Sequence, residues 1–569
     1  MALEKPKKLR LGDLLVEHAV ISADQLRAAL EAQKQSGHKL GRVLIEIGCL
    51  GEDQLLDFLA RQLAISFIDL RRYDIKPEVV RLIPEVQARR FRVIALDDGP
   101  EGLLIGMADP TDLFAYDEIS RQVRRPLRLA VVKEADLLRT VDAIYRRTTE
   151  ISGFAAELEQ QLSAHDVSLR ALAATEGQSD APVVKLLQTM FDDAVQVNAS
   201  DIHIEPDEHE LRIRFRLDGV LRVQTTAERR IAGALISRLK LMAGLDISEK
   251  RLPQDGRFNI RVQDKSIDVR LSTMPLPYGE SAVLRLLNQS SGMLDLENLG
   301  MPSALLERLR VLLRHPHGML LVTGPTGSGK TTTLYAALKE LNTPAVKIIT
   351  VEDPVEYRLR GINQVQVNPK IDLGFGRVLR SILRQDPDII LIGEMRDKET
   401  AEIGLRAAMT GHFVLSTLHT NDAVSTPVRL MDMGAEPYLI GASLRGVLAQ
   451  RLVRRICDSC AEPAPLDAAQ RAVLEQRLAI TVEGLSFRRG RGCTQCNESG
   501  YQGRIGVYEL LEMDHKLTAA LHTGDVMGFA QLATQRPGYH SLKHNAVDLA
   551  ARGFTTVQEV LRVAYGGEL

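Results

Sequence analysis

Gly318-Met-Leu-Leu-Val-Thr-Gly-Pro-Thr-Gly-Ser-Gly-Lys-Thr-Thr-Thr333 joins a short apolar run to a glycine-rich loop and a helix-forming segment. Met319 to Thr323 reads as a buried strand, and Thr331 to Leu341 as the helix that follows. Between them Gly324, Pro325, Thr326, Gly327, Ser328, Gly329, Lys330 and Thr331 fit GxxxxGK followed by Ser or Thr, the P-loop pattern. The glycines let successive backbone N–H groups face one concavity, and the helix adds the positive end of its dipole. Lys330 reaches the β- and γ-phosphates, Thr331 ligates Mg²⁺, and Thr332 completes the phosphate set in the first turn. A glycine-rich turn can match by chance, but strand, loop, Lys-Thr and helix in this order argue for a nucleotide site. Hydrolysis has to be read from other residues.

Those residues lie downstream. Lys347 to Val351 reads as a second buried strand that delivers Glu352-Asp353-Pro354-Val355-Glu356 at its end, where open α/β sheets place their chemistry. A carboxylate there can orient an attacking water. A third strand, Asp388 to Gly393, runs into Glu394-Met395-Arg396-Asp397, and Thr410 to Thr420 sets His412 and His419 around a fourth. Arg380 and Arg384, at i,i+4 spacing, share one helical face. Cys457/Cys460 and Cys493/Cys496 form two CxxC pairs. Four thiolates in paired knuckles suit tetrahedral Zn²⁺ with no open position, which predicts a structural site.

At 569 residues the chain exceeds one core and predicts three or four domains. With 72 basic and 74 acidic residues there is no global field to draw in nucleic acid. The longest apolar runs fall far short of the roughly 20 residues of a spanning helix, and the first ten residues lead into no signal-peptide core. A cytosolic protein that meets a membrane only peripherally is expected, with its cysteines binding metal rather than forming disulfides.

Near the N-terminus, residues 10–33 recur at 39–62, shifted by 29 positions, with matches such as Leu11/Leu40, Gly12/Gly41, Leu26/Leu55, Leu30/Leu59 and Gln33/Gln62. Ser22-Ala-Asp-Gln25 has capping-box form. The shared leucines are explained as core, but the polar frame that opens with Arg10 or Lys39 and closes with Gln suits a pseudo-twofold ligand. Residues 66–145 read as an α+β subdomain with strands Phe91 to Leu96, Leu103 to Met107 and Leu127 to Val132. Asp109 is expected to cap the helix that follows it, and Cys49 to be core. Residues 146–180 read as a linker, partly helical. Pro182 to Gln196 then reads as an amphipathic helix ahead of alternating strands. There Asp201 and His203 fit the polar face of a strand better than a metal site.

These motifs together resemble the type II secretion and type IV pilus assembly ATPase family, and within it the assembly ATPases of mannose-sensitive haemagglutinin-type pili. The resemblance covers nearly the whole chain. It implies an N-terminal cyclic-di-GMP-binding domain (1–145, repeats 10–62), an N2 domain (181–292) and a RecA-like motor domain (293–569) with a tetracysteine zinc subdomain (455–503). The implied dinucleotide contacts are Arg10, Leu11, Gly12, Leu26, Leu30, Gln33, Lys39, Leu40, Gly41, Leu55, Leu59, Gln62 and Asp109. Ala19 stands where the repeat motif has Gly, and Lys39 where it has Arg. Ala199 to Pro206, Arg216-Leu-Asp-Gly219 and Gln254-Asp-Gly-Arg257 resemble N2 motifs, and Arg270 and Arg285 match arginines that reach the γ-phosphate. Glu356 is implied as general base, supported by Glu352 and Asp353, with Glu394 in an atypical Walker B and Arg380, Arg384, His412 and His419 as phosphate contacts. The tetracysteine insertion resembles that of extrusion-type members and is absent from retraction types.

The implied function is a cytoplasmic, hexameric ATPase at the bacterial inner membrane that works on a platform protein and is gated by cyclic-di-GMP. Two alternatives stand beside it. One is a general type II secretion ATPase whose N-terminal domain only docks a partner, and the other is a nucleic-acid translocase, against which the lack of a DNA-binding motif and of excess positive charge argues.

Overall fold

The computed structural model describes residues 12, 15–16, 20–36, 40–63, 65–71, 73, 75–145, 148–164, 182–262, 265–288 and 295–565. They form two compact units, one of residues 1–146 together with Cys493–Glu498, the other of residues 147–492 and 499–569.

In the first unit the repeats are helical: Ala23–Ser36 in the first copy, Leu40–Glu46 and Glu52–Gln62 in the second. The capping box forms, with Ser22 N–H donating to Gln25 Oε1 at 2.7 Å and Gln25 N–H to Ser22 Oγ at 3.1 Å. In the second copy Gly51 stands in place of Ser22, so only the Gly51 N–H to Gln54 Oε1 half remains, at 3.0 Å. The matched leucines Leu15 and Leu44 share one buried core with Ile21, Ala29 and Leu55. Four strands follow, β1 (Ser66–Phe67), β2 (Val93–Gly99), β3 (Gly102–Met107) and β4 (Leu127–Val131), in the order β1-β4-β3-β2. β2 starts later than its apolar run suggests because Phe91 closes the helix Glu85–Phe91, and the chain leaves that helix through Arg92 in the left-handed region, φ 52°. Asp109 is not the cap expected of it. Its Oδ1 accepts from Thr111 N–H and Oγ1, and Asp112 caps the helix Leu113–Val123 by accepting from Ala115 N–H.

The second unit opens with a helix, Thr148–Ala164, inside the segment expected to be a linker; the rest of that segment, 146–147 and 165–180, lies outside the described residues. Ile151, Ala155 and Leu158 lie on one helical face and are buried among Leu186, Phe215 and Leu284, so this stretch belongs to the neighbouring core. The core is covered by a six-stranded antiparallel sheet, β5 (Asp201–Pro206), β6 (Glu210–Leu217), β7 (Val220–Glu228), β8 (Gln254–Val262), β9 (Lys265–Leu276) and β10 (Gly279–Asn288), ordered β7-β6-β5-β10-β9-β8. Apolar residues of these strands alternate toward the helices, so the polar ones share the other face.

Next come β11 (Gly318–Thr323), β12 (Ile348–Glu352), β13 (Asn363–Gln366), β14 (Ile389–Ile392), β15 (Phe413–Leu418) and β16 (Leu444–Ile456). After a small antiparallel pair, β17 (Ala461–Pro463) with β18 (Arg488–Gly490), β19 (Tyr501–Glu512) completes a seven-stranded sheet ordered β13-β12-β14-β15-β11-β16-β19. All its pairs are parallel except β16 with β19. Met319 and Leu321 enter one core and Leu320 and Val322 the other, so β11 is covered on both faces.

Leu158→Ala is expected to cost about 2–5 kcal/mol in the sheet domain, read as faster hydrogen exchange of the β7 amides. Unchanged exchange would mean that the helix is not integral to that core.

Candidate active site

The P-loop leaves β11 between its parallel neighbours β15 and β16. Gly324, Gly327 and Gly329 have φ of 147°, 79° and 87°, conformations that side-chain-bearing residues rarely adopt. Space also restricts Gly324: a Cβ there would lie 2.4 Å from the Gln450 carbonyl oxygen and 2.6 Å from Ser328 Oγ. Pro325, Thr326 and Gly327 are exposed at the crest, and Thr331 and Thr332 lie in the first turn of the helix Lys330–Leu341. Lys330 Nζ donates to the Gly324 and Pro325 carbonyls at 2.8 and 3.1 Å. Burial draws its pKa down to about 8, opposed by the Glu394 charge. Ser328 Oγ and Thr323 Oγ1 are buried without a partner among the described residues, a fit for a loop that receives further polar groups.

Gln450, which the sequence did not single out, braces this loop from β16. Its Nε2 donates to Ser328 O at 2.6 Å, and its Oε1 accepts from Thr333 Oγ1 at 2.8 Å. The available signal was one uncharged polar residue within the apolar run Val447 to Val453.

At the same sheet edge Glu394 follows β14, with Oε2 2.8 Å from Arg396 Nη2 and Oε1 3.3 Å from His419 Nε2. Burial, and then Lys330, lower the His419 pKa. After β12, Asp353 is exposed, whereas Glu352 is buried among Tyr335, Thr350 and Gln364 rather than open to the cleft. Glu356 Oε2 meets Arg270 Nη2 at 2.6 Å, an ion pair from the loop after β12 of the seven-stranded sheet to the six-stranded sheet. Arg257, Arg270, Arg285, Asp201 and Arg216 are successive register partners across β8, β9, β10, β5 and β6, so they form one polar row. Asp201 Oδ1 lies 3.2 Å from Arg285 Nε, and its Oδ2 lies 3.4 Å from Arg216 Nε. His203 Nδ1 lies 3.5 Å from Glu205, in keeping with a polar strand face.

Two sequence expectations change, those for His412 and for the helical face of Arg384. His412 immediately precedes β15 and His419 follows its end, so the strand's six residues, at about 3.3 Å each, set His412 at the sheet edge away from the P-loop. There its Nδ1 meets the Ala407 carbonyl oxygen at 3.1 Å. Arg380 pairs with Glu399 at 2.5 Å. Arg384 does not continue its helical face, because the helix ends at Ile382, and Arg384 Nη1 instead donates to the Arg380 carbonyl at 2.7 Å.

In the first unit a Cβ on Gly12 would meet Leu26 Cδ1 at 2.5 Å and Leu40 Cδ2 at 3.1 Å, so motif positions from both repeats come together. Leu55 is buried, Gln33 half-buried, and Leu30 and Gln62 exposed. Gly41 lies in the helix Leu40–Glu46, while Arg10, Leu11, Ala19, Lys39 and the Leu59 side chain lie outside the described residues.

The sulfurs of Cys457, Cys460, Cys493 and Cys496 all lie within 4.8 Å of one another. The Cys493 and Cys496 sulfurs are 3.7 Å apart, close to the ~3.8 Å edge of a tetrahedron with ~2.3 Å Zn–S bonds. Gly492 N–H donates to Cys460 Sγ at 3.4 Å and Cys493 N–H to Cys496 Sγ at 3.2 Å. The donor set and geometry therefore fit Zn²⁺.

Comparison with known proteins agrees with this architecture. A family model described as "Type II/IV secretion system protein" matches residues 176–562, and one described as "MshEN domain" matches 63–151. The type IV pilus assembly ATPase PilB of Myxococcus xanthus is 40% identical over 97% of this chain and 98% of its own. The type II secretion system protein E of Xanthomonas campestris is also 40% identical, over 98% of this chain and 99% of its own. The solved ATPase DotB of Legionella pneumophila shares the fold, with a TM-score of 0.51 at 21% identity over 67% of this chain and 95% of its own. The chain belongs to the type II secretion and type IV pilus assembly ATPase family, whose members are ATP hydrolases, and it carries an MshEN domain ahead of its motor.

Proposed function

We propose that the protein hydrolyses Mg²⁺-ATP between its N2 sheet and its motor domain, as a subunit of a hexameric ring that drives pilus assembly or type II secretion. The observation that carries this is the Arg270–Glu356 ion pair. Arg270 Nε is buried with no hydrogen-bond partner among the described residues, so this guanidinium has capacity for another acceptor. A γ-phosphate oxygen is such an acceptor, and fixed guanidiniums suit a transition state whose charge spreads over oxygens. While it is paired, the Glu356 oxygen is occupied by Arg270 and is not open to an attacking water. Transfer of Arg270 from Glu356 to phosphate would thus supply positive charge and free the base in one movement. Arg285, held by Asp201 on the neighbouring strand, is the second candidate.

Lys330 would exchange its two loop carbonyls for phosphate oxygens, which are charged and stronger acceptors. When bound, Mg²⁺ neutralises charge on the β- and γ-oxygens, with Thr331 and Glu394 as the residues that would hold it and its waters. His419 beside Glu394 can respond to that charge. The four cysteines would hold structural Zn²⁺. Cyclic-di-GMP would gate the motor from the N-terminal unit, and domain closure would move a platform protein at the cytoplasmic face of the inner membrane. No helix among the described residues is long and apolar enough to cross a membrane, which suits contact through that partner.

Glu356→Gln is expected to lower turnover at least about 100-fold while ATP affinity is kept, measured by phosphate release and nucleotide titration. Unchanged turnover overturns the base assignment. Zinc chelation is expected to speed hydrogen exchange in 455–503 without loss of nucleotide binding; equal loss of both would contradict a structural role. Calorimetric titration with cyclic-di-GMP should show micromolar or tighter binding that Arg10→Ala abolishes, whereas no heat with the parent would leave the N-terminal unit as a docking module.

A further inference from the structure

We infer that Tyr335 is a positioning residue that fixes the loop carrying Glu356 to the P-loop helix; this rests on Glu356 being the base. Tyr335 lies in the helix Lys330–Leu341 and is 2% exposed. Its hydroxyl donates to Glu352 Oε2 and accepts the Glu356 backbone N–H at 3.3 Å. One oxygen thus joins the helix after the P-loop to the end of β12 and to the backbone of the base itself.

The rest of the loop is held through the same carboxylate. Glu352, 4% exposed, accepts at Oε1 from Thr350 Oγ1 at 2.5 Å and from Gln364 Nε2 at 3.3 Å. Gln364 also donates to Tyr357 O at 3.0 Å and accepts Leu359 N–H at 2.7 Å. The ring of Tyr357 meets that of Tyr335 edge-on, centroids 6.0 Å apart. Glu356, Tyr357 and Leu359 are therefore each tied by their backbone to one buried network whose centre is Glu352. Burial, and next the Glu352 charge, push the Tyr335 pKa well up, so the phenol keeps the proton it donates.

Two consequences follow for the chemistry. Glu352 serves as the anchor of this network rather than as a group facing metal waters. Tyr335 makes the position of the base depend on the helix that begins at Lys330, so a shift of that helix on binding phosphate is carried to Glu356 through a single hydroxyl. A displacement of about 1 Å at such a group is enough to cost about 100-fold in rate.

Tyr335→Phe removes only the hydroxyl and keeps the ring against Tyr357. In full-length protein shown by light scattering to keep the parent's oligomeric state, kcat is expected to fall about 10- to 100-fold, with KM and ATP-analogue affinity within about twofold. In single-turnover assays Tyr335→Phe should add no further loss to Glu356→Gln, since both act through one group. Parent-like kcat in Tyr335→Phe, an equal loss of affinity and turnover, or additive losses in the double variant would each overturn the inference. Glu356→Gln alone separates the two assignments: if it is fully active the base assignment falls, whereas an inactive Glu356→Gln beside a fully active Tyr335→Phe removes only the bracing role.

Discussion

Burial of β11 on both faces is the constraint from which the nucleotide site follows. Its side chains enter two different cores in alternation, so no face of the strand is left for polar chemistry. Function is pushed to strand ends, and in a parallel sheet those ends share one edge. The P-loop after β11, Glu352 to Glu356 after β12, Glu394 after β14 and His419 after β15 gather there because the apolar cores permit little else. Each buried leucine or valine contributes about 1.5–3 kcal/mol, so the position of the catalytic edge is secured by packing that takes no part in chemistry.

The second domain meets this edge with charge. The polar row across the six-stranded sheet sets three guanidiniums side by side, with Asp201 bridging Arg285 and Arg216 and Glu356 engaging Arg270. The side chains of Arg270 and Glu356 are only 18% and 29% exposed, so solvent screens their attraction less than it would on an open surface. Such a contact orients two domains and is also exchangeable, because any stronger oxyanion can compete for the arginine. On the proposed mechanism, positioning and chemistry draw on the same side chain.

Periodicity and motif order made most of the fold legible. The run from Met319 to Thr323, the helix after it and the acid-terminated strands could be read because each buried element is short, apolar and punctuated. Other features were hidden for physical reasons. Thr148–Ala164 looked like a linker because its buried face consists of a few residues such as Ile151, Ala155 and Leu158 within a polar composition. His412 and His419 look equivalent in sequence, but a strand separates them to opposite sheet edges. Arg384 has helical spacing, but its helix stops two residues earlier, ahead of Asp386 at φ 51° and the following proline. Gln450 carried only the faint signal of its polarity within an apolar run and Tyr335 none, since their roles arise from partners 122 and 17 residues away.

β16 runs for thirteen residues, its pairing shifting near Arg445 and between Arg454 and Ile456, and stops at the first cysteine of the knuckles. Side chains alternate along it, so a slip of one residue would swing Gln450 away from the loop it holds and turn Arg451 in its place. The cysteine cluster lies about 20 Å along the strand at ~3.3 Å per residue, where a bound metal would resist such sliding. On this view the nucleotide cradle would draw part of its alignment from four thiols that never meet phosphate.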